Sequence, residues 1–125
     1  MKLRDNLYKV ESVTELQAGT RYGISLNPEH FIYKAHFPGE PITPGVVILQ
    51  IACELMEDMT GTALEPSVIR NAKFLKIISP IENSSLTFDF SGTEAAEDGL
   101  VCSQVKVVSG DVIFAKFSIQ CRKKA

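Results

Sequence analysis

Residues 36–54 read HFPGEPITPGVVILQIACE. This stretch joins the most punctuated loop of the chain to its most apolar segment, and the elements on either side can be read outward from that junction. Pro38, Gly39, Pro41, Pro44 and Gly45 exclude a helix or a central strand, so His30–Gly45 reads as a long loop, with the imidazole of His36 inside its punctuated half. From Val46 the pattern changes. Val46, Val47, Ile48, Leu49, Ile51, Ala52, Cys53, Leu55, Met56 and Met59 cover most of a helical circumference, which predicts a buried helix over Val46–Thr60. Thr43 is placed to cap it, Pro44 suits its first position, and Gly61 suits the left-handed position past its end. Gln50, Glu54, Glu57 and Asp58 fall on one stripe of this helix. With apolar side chains on every other side, the stripe is expected to point into a cavity.

Upstream, Leu7–Leu16 reads as a strand, Gln17-Ala18-Gly19 as a turn, and Thr20–Leu26 as a second strand with Tyr22, Ile24 and Leu26 on one face. Downstream, four strands are expected. Ser67–Ile78 puts Val68, Ala72, Phe74 and Ile78 on one parity and ends at Ser79-Pro80. Leu86, Phe88 and Phe90 alternate with polar residues, and Val101, Val105 and Val107 share a face. Ser109-Gly110-Asp111 makes a tight turn into a last strand with Ile113, Ala115, Phe117, Ile119 and Cys121 directed one way. Half-polar alternation indicates an antiparallel sheet with one covered face. One apolar helix and one such sheet must bury each other. The expected architecture is therefore α+β, a curved antiparallel sheet wrapped around one central helix, in a single domain spanning residues 1–125. The helix is more apolar than one sheet face can cover, so a partner chain is expected to share its burial.

The bulk composition narrows the function classes. The chain has 125 residues, 45% hydrophobic and 22% charged, with a formal net charge of −2. That is an ordinary globular composition, without the basic stripe of a nucleic-acid binder. Cys53, Cys102 and Cys121 are widely spaced among apolar neighbours and are read as small hydrophobes; no metal-ligand spacing is present. The N-terminal residues lack the apolar core of a signal peptide, and no apolar run approaches the ~20 residues of a membrane span. A cytoplasmic protein that neither spans a membrane nor binds nucleic acid is the expectation.

The stretch HFPGEPITPGVVILQ resembles the signature of the hot-dog fold beta-hydroxyacyl-ACP dehydratases, close to HFPG-x-P-x-x-PGV-x-x-x-E. A weaker similarity lies in IRNAKFLKIISP, residues 69–80. The resemblance implies a hot-dog fold and removal of water from a 3-hydroxyacyl chain held as a thioester on acyl carrier protein. It also implies a homodimer, or an assembly of dimers, with the site at the subunit interface. Neither a metal nor another cofactor is expected, because proton transfer and a polarised carbonyl suffice. His36 is the candidate base, since imidazole with a pKa near ~6.5 can be neutral at work. The N–H of Gly45, at the helix start, would face the thioester oxygen. Phe37, Pro38, Gly39, Pro44, Gly45 and Val46 are the candidate substrate-binding residues.

The chain departs from the signature at the acidic position. Gln50 stands there, fourteen residues after His36, and Glu54 follows one turn later, where the family commonly has Gln. An amide cannot give up a proton as a carboxylic acid does, and Glu54 lies roughly 6 Å further along the helix axis. Gln50 and Glu54 together are the expected altered second half of the catalytic site. Two rivals follow: an acyl thioesterase on the same fold, and a non-catalytic acyl-ACP-binding subunit. Lys34, Arg70, Lys73 and Lys76 are the candidates for a basic surface facing an acidic carrier.

Overall fold

The computed structural model describes residues 2–35, 39–96 and 98–124. The element order is β1 (Tyr8–Leu16), β2 (Gly19–Leu26), α1 (Phe31–Ala35), α2 (Gly45–Thr60), β3 (Leu64–Phe74), β4 (Ser85–Ala95), β5 (Leu100–Ser109) and β6 (Val112–Lys123). The strands form one six-stranded sheet in the order β1-β2-β4-β5-β6-β3, and every neighbouring pair is antiparallel. The period-2 pattern dictates the covered face. Tyr22, Ile24 and Leu26, then Leu86, Phe88 and Phe90, then Val101, Val105 and Val107, then Ala115, Phe117, Ile119 and Cys121 are all buried. Val47, Ile48, Ile51, Ala52, Leu55 and Met56 of α2 are buried with them in one core, so the sheet curves around the helix. Each large side chain taken fully from water contributes about 1.5–3 kcal/mol toward offsetting the entropy of folding.

Several boundaries differ from the sequence expectations, each for a local reason. A short helix, α1, interrupts the long loop: the Tyr33 N–H bonds the His30 carbonyl, and Ile32 and Tyr33 bury their side chains. Pro44 is the N-cap of α2 rather than its first residue, because its ψ of 150° is extended. Thr43 does not cap; its hydroxyl lies 2.9 Å from that of Tyr33. Gly61 does occupy the left-handed position, at φ 68°, and its N–H closes the helix onto the Glu57 carbonyl. β3 begins at Leu64 and ends at Phe74, not Ile78. Its pairing with β6 shifts register between Arg70 and Lys73, with Asn71 at φ 53°. A bulge of this kind changes which residues share a face. Ala72 and Phe74 are consequently exposed while Ile78 is buried, so the expected common parity does not hold. As an edge strand, β3 also tolerates Pro66, which offers no N–H to a ladder.

Candidate active site

α2 starts at Gly45, and the start is built closely. A methyl carbon on Gly45 would sit 3.1 Å from Cζ of Phe74, so glycine lets the helix end meet that ring. No side chain caps the end, and no acceptor among the described residues takes the N–H groups of Gly45 or Val46; the first paired amides are those of Val47 and Ile48, both to the Pro44 carbonyl. Two donors at the positive end of a helix are thus available to an oxyanion. The loop before them is fastened from two sides. The Thr43 N–H donates to the Ile78 carbonyl at 2.8 Å, and the Thr43 hydroxyl pairs with that of Tyr33 on α1. Burial pushes the Tyr33 phenol pKa upward, so it stays a neutral hydroxyl at that contact.

The polar stripe of α2 borders a cleft of about 380 Å³ lined by Glu54, Glu57 and Asp58 together with Lys2, Arg4 and Asp5. The chain's first residues fold over it. The Glu54 carboxylate, 3% exposed, accepts the backbone N–H groups of Leu3 and Arg4 at 2.8 Å each and the Tyr8 hydroxyl at 3.1 Å. Burial, then the charge of Glu54, raises the Tyr8 pKa well above the usual phenol range, so Tyr8 remains a donor. Glu54 also accepts the Gln50 side-chain N–H at 3.0 Å. In this contact the NH₂ end of Gln50 faces Glu54 and the carbonyl end faces away. Further along, Asp58 pairs with Arg4 at 2.8 Å and accepts the Tyr22 hydroxyl at 2.7 Å. Glu57 accepts the Leu64 N–H at 2.8 Å and lies 3.2 Å from the Lys2 ammonium.

The structure brings Pro44, Gly45 and Val46 to the helix start, with Val46 72% exposed, and places Gln50 half-buried just over one turn later. Gly39 is an exposed turn residue at φ 97°. His36, Phe37 and Pro38 lie outside the described residues. Met56 and Phe88 are core, whereas Phe74 is half exposed at Gly45. His30 accepts the Ile32 N–H at Nδ1 and stacks on Phe31, a local role. Cys53 and Cys121 are fully buried with their sulfurs 3.5 Å apart, and Cys102 is half-buried; all three are free thiols. Sequence reasoning missed Leu3, Arg4 and Tyr8 as the partners of Glu54. The one signal was the apolar spacing of Leu3 and Leu7, both of which are buried here.

Comparisons with known proteins agree with this architecture. Residues 12–110 match the ApeI-like family, described as ApeI dehydratase. The 3-hydroxyacyl-[acyl-carrier-protein] dehydratase FabZ of Fusobacterium nucleatum is 26% identical over 121 residues, covering 93% of this chain and 82% of that protein. The structure of the dehydratase heterocomplex ApeI:P from Xenorhabdus doucetiae superposes with a TM-score of 0.67 at 17% identity, over 91% of this chain and 96% of that one. Thioesterase HI1161 from Haemophilus influenzae superposes with a TM-score of 0.59 at 11% identity, over 94% and 78%. At those identities the two structures share the fold, the hot-dog arrangement expected from the sequence. The family match spans most of the chain, from within β1 to the turn before β6, and the chain belongs to the ApeI-like dehydratase family.

Proposed function

We propose that this protein removes water from a 3-hydroxyacyl thioester carried on acyl carrier protein, in fatty-acid or polyketide-type synthesis. Family membership over residues 12–110 carries the reading, and the N–H groups of Gly45 and Val46, unclaimed among the described residues, support it. In this reading the thioester oxygen lies against those amides, and His36 takes the proton α to the carbonyl. Polarisation of the oxygen by helix-end donors is the larger contribution; losing one such donor typically costs ~10²–10³ in rate. As an amide, Gln50 orients the 3-hydroxyl by hydrogen bonding and gives it no proton. The imidazolium of His36 then returns the abstracted proton to the departing oxygen. The proton count closes with one acid–base group: one C–H and one C–O bond break, one C=C forms, and water leaves. Glu54 acts through Gln50 by fixing the amide. Phe37, Pro38, Gly39, Pro44 and Val46 are the residues proposed to bind the acyl chain.

We further propose that two copies of the chain form each pair of sites. Val46, Phe74, Leu75, Ile77 and Ile81 are all exposed. They are brought together by the Thr43–Ile78 hydrogen bond and the Gly45–Phe74 contact, beside the open edge of β3. A second copy would cover them. Incubation with 3-hydroxyacyl-ACP and with plain acyl-ACP decides the reaction. Enoyl product from the first supports dehydration; free thiol from either indicates a thioesterase, and binding without turnover a non-catalytic subunit. Gln50→Glu is the sharper variant. It sets two carboxyls about 3 Å apart, and such a pair retains one proton to a higher pH than either carboxyl alone. Dehydration is expected to rise on the acid side of the pH profile, where the introduced carboxyl can donate. A fall at every pH would mean that the amide already performs a step a carboxyl cannot.

A further inference from the structure

We propose that the outer face of the sheet holds an anion site for a diphosphate-bearing small molecule, built on Lys73, Lys106 and Lys116. The strand registers put five charged residues in one transverse row. Arg21 lies opposite Asp89, Asp89 opposite Lys106, Lys106 opposite Lys116, and Lys116 opposite Lys73, across β2, β4, β5, β6 and β3. The first two neutralise each other through a two-pronged contact at 2.8 and 3.1 Å. The three lysines have no carboxylate within ion-pair distance among the described residues. Neighbouring strands lie about 4.8 Å apart, so three ammonium stems arise within about 10 Å. Like charges directly opposite one another oppose pairing. A chain of net charge −2 nevertheless concentrates three of its cations in this row.

The row lies in a groove of about 430 Å³, the size of a small-ligand site. Gln104 and Ser118 line it beside the lysines. The Gln104 carbonyl is occupied by the Ser118 hydroxyl at 2.8 Å, which leaves the Gln104 NH₂ as a further donor. Asp89 does not offset the positive charge, because Arg21 already holds it. A single phosphate can touch two ammonium groups at close range; a row of three calls for charge spread over two phosphates, and lysine binds phosphate as a point charge from any direction. Leu16 and Ala18 form an apolar lip for the body of such a ligand. The groove is separate from the helix start. Val105 and Phe117, the sequence neighbours of Lys106 and Lys116, point into the core, so the lysines point away from it.

Titration of the whole protein with pyrophosphate, in low-salt buffer and against sodium chloride at matched ionic strength, tests the site. Saturable binding of one pyrophosphate per chain and a Tm rise of a few degrees are expected. Lys116→Gln should weaken binding on the order of tenfold or more, while Lys9→Gln, on β1 outside the row, should bind as the parent does. An equal Tm rise with sodium chloride would reduce the groove to general screening and overturn the proposal. So would parental affinity in Lys116→Gln. Neither result depends on dehydration, so failure here leaves the catalytic reading intact.

Discussion

Glu54 is the residue on which the most contacts converge. Four donors meet on its two oxygens: two backbone N–H groups, a phenol and an amide. Glu54→Gln keeps the shape but turns one oxygen into an NH₂ that faces donors. Leaving a buried donor unpaired costs about 1–3 kcal/mol, and two donors share each oxygen, so a loss of about 2–6 kcal/mol is expected. A lowered urea midpoint with an unchanged slope would show it; a midpoint equal to the parent's would mean the first residues do not rest on Glu54. Gln50 and Glu54 were legible in the sequence as one polar stripe with the two residue types exchanged. Their relation was not. Whether a polar stripe faces a cavity or another segment depends on contacts some fifty positions away in the chain, from Leu3 and Arg4.

At the level of elements, residues 2–7 are held on α2 through Arg4 and Asp58. The Asp58 carboxyl is held below the usual carboxylate range by its hydrogen bond from Arg4, and then by that from Tyr22. A carboxyl with a depressed folded pKa stabilises the fold above its unfolded value, near ~3.9, and loses that contribution as pH falls through the folded value. The pair is partly exposed, at 37% and 35% of the two side chains, and screening limits its contribution. Asp58→Asn should cost about 0.5–1 kcal/mol at pH 7 and flatten the loss of stability below about pH 4. Urea unfolding at pH 7 and pH 3 measures both, and a variant as acid-sensitive as the parent would contradict the assignment. The buried helix was legible from its apolar circumference and β2, β4, β5 and β6 from residues that share a face, while β1 was read only from its mixture of apolar and polar residues. β3 was legible as a strand, but its bounds and common face were not, because an edge strand with a bulge owes its course to one neighbour only. Nor was α1, whose five residues are too few to show a period.

For the whole molecule, a site completed by two chains makes a complementation prediction. If His36 serves with Gln50 of a second copy, mixing His36→Ala with Gln50→Leu chains under exchange restores activity. Half of the dimers are then mixed and each carries one intact site, so about a quarter of parental turnover is expected. Recovery of none would place both residues in one chain's site. Size-exclusion chromatography of Ile77→Lys gives the companion measurement: a charge at a position 67% exposed in the single chain should leave the fold intact and shift the protein toward monomer.

By itself the sequence determined the fold class, the helix and the loop that leads into it. Those follow from local rules: glycine and proline restrict backbone torsions at their own positions, and the period of apolar residues states which side of an element is covered. Tertiary structure alone decided what the covered polar groups do. It placed Glu54 as the acceptor of the Leu3 and Arg4 amides, the Tyr8 hydroxyl and the Gln50 side chain, because a carboxylate's partners are set by what folds against it. It also aligned Lys73, Lys106 and Lys116 in one row, since the register between strands is fixed by the packing of their opposite face.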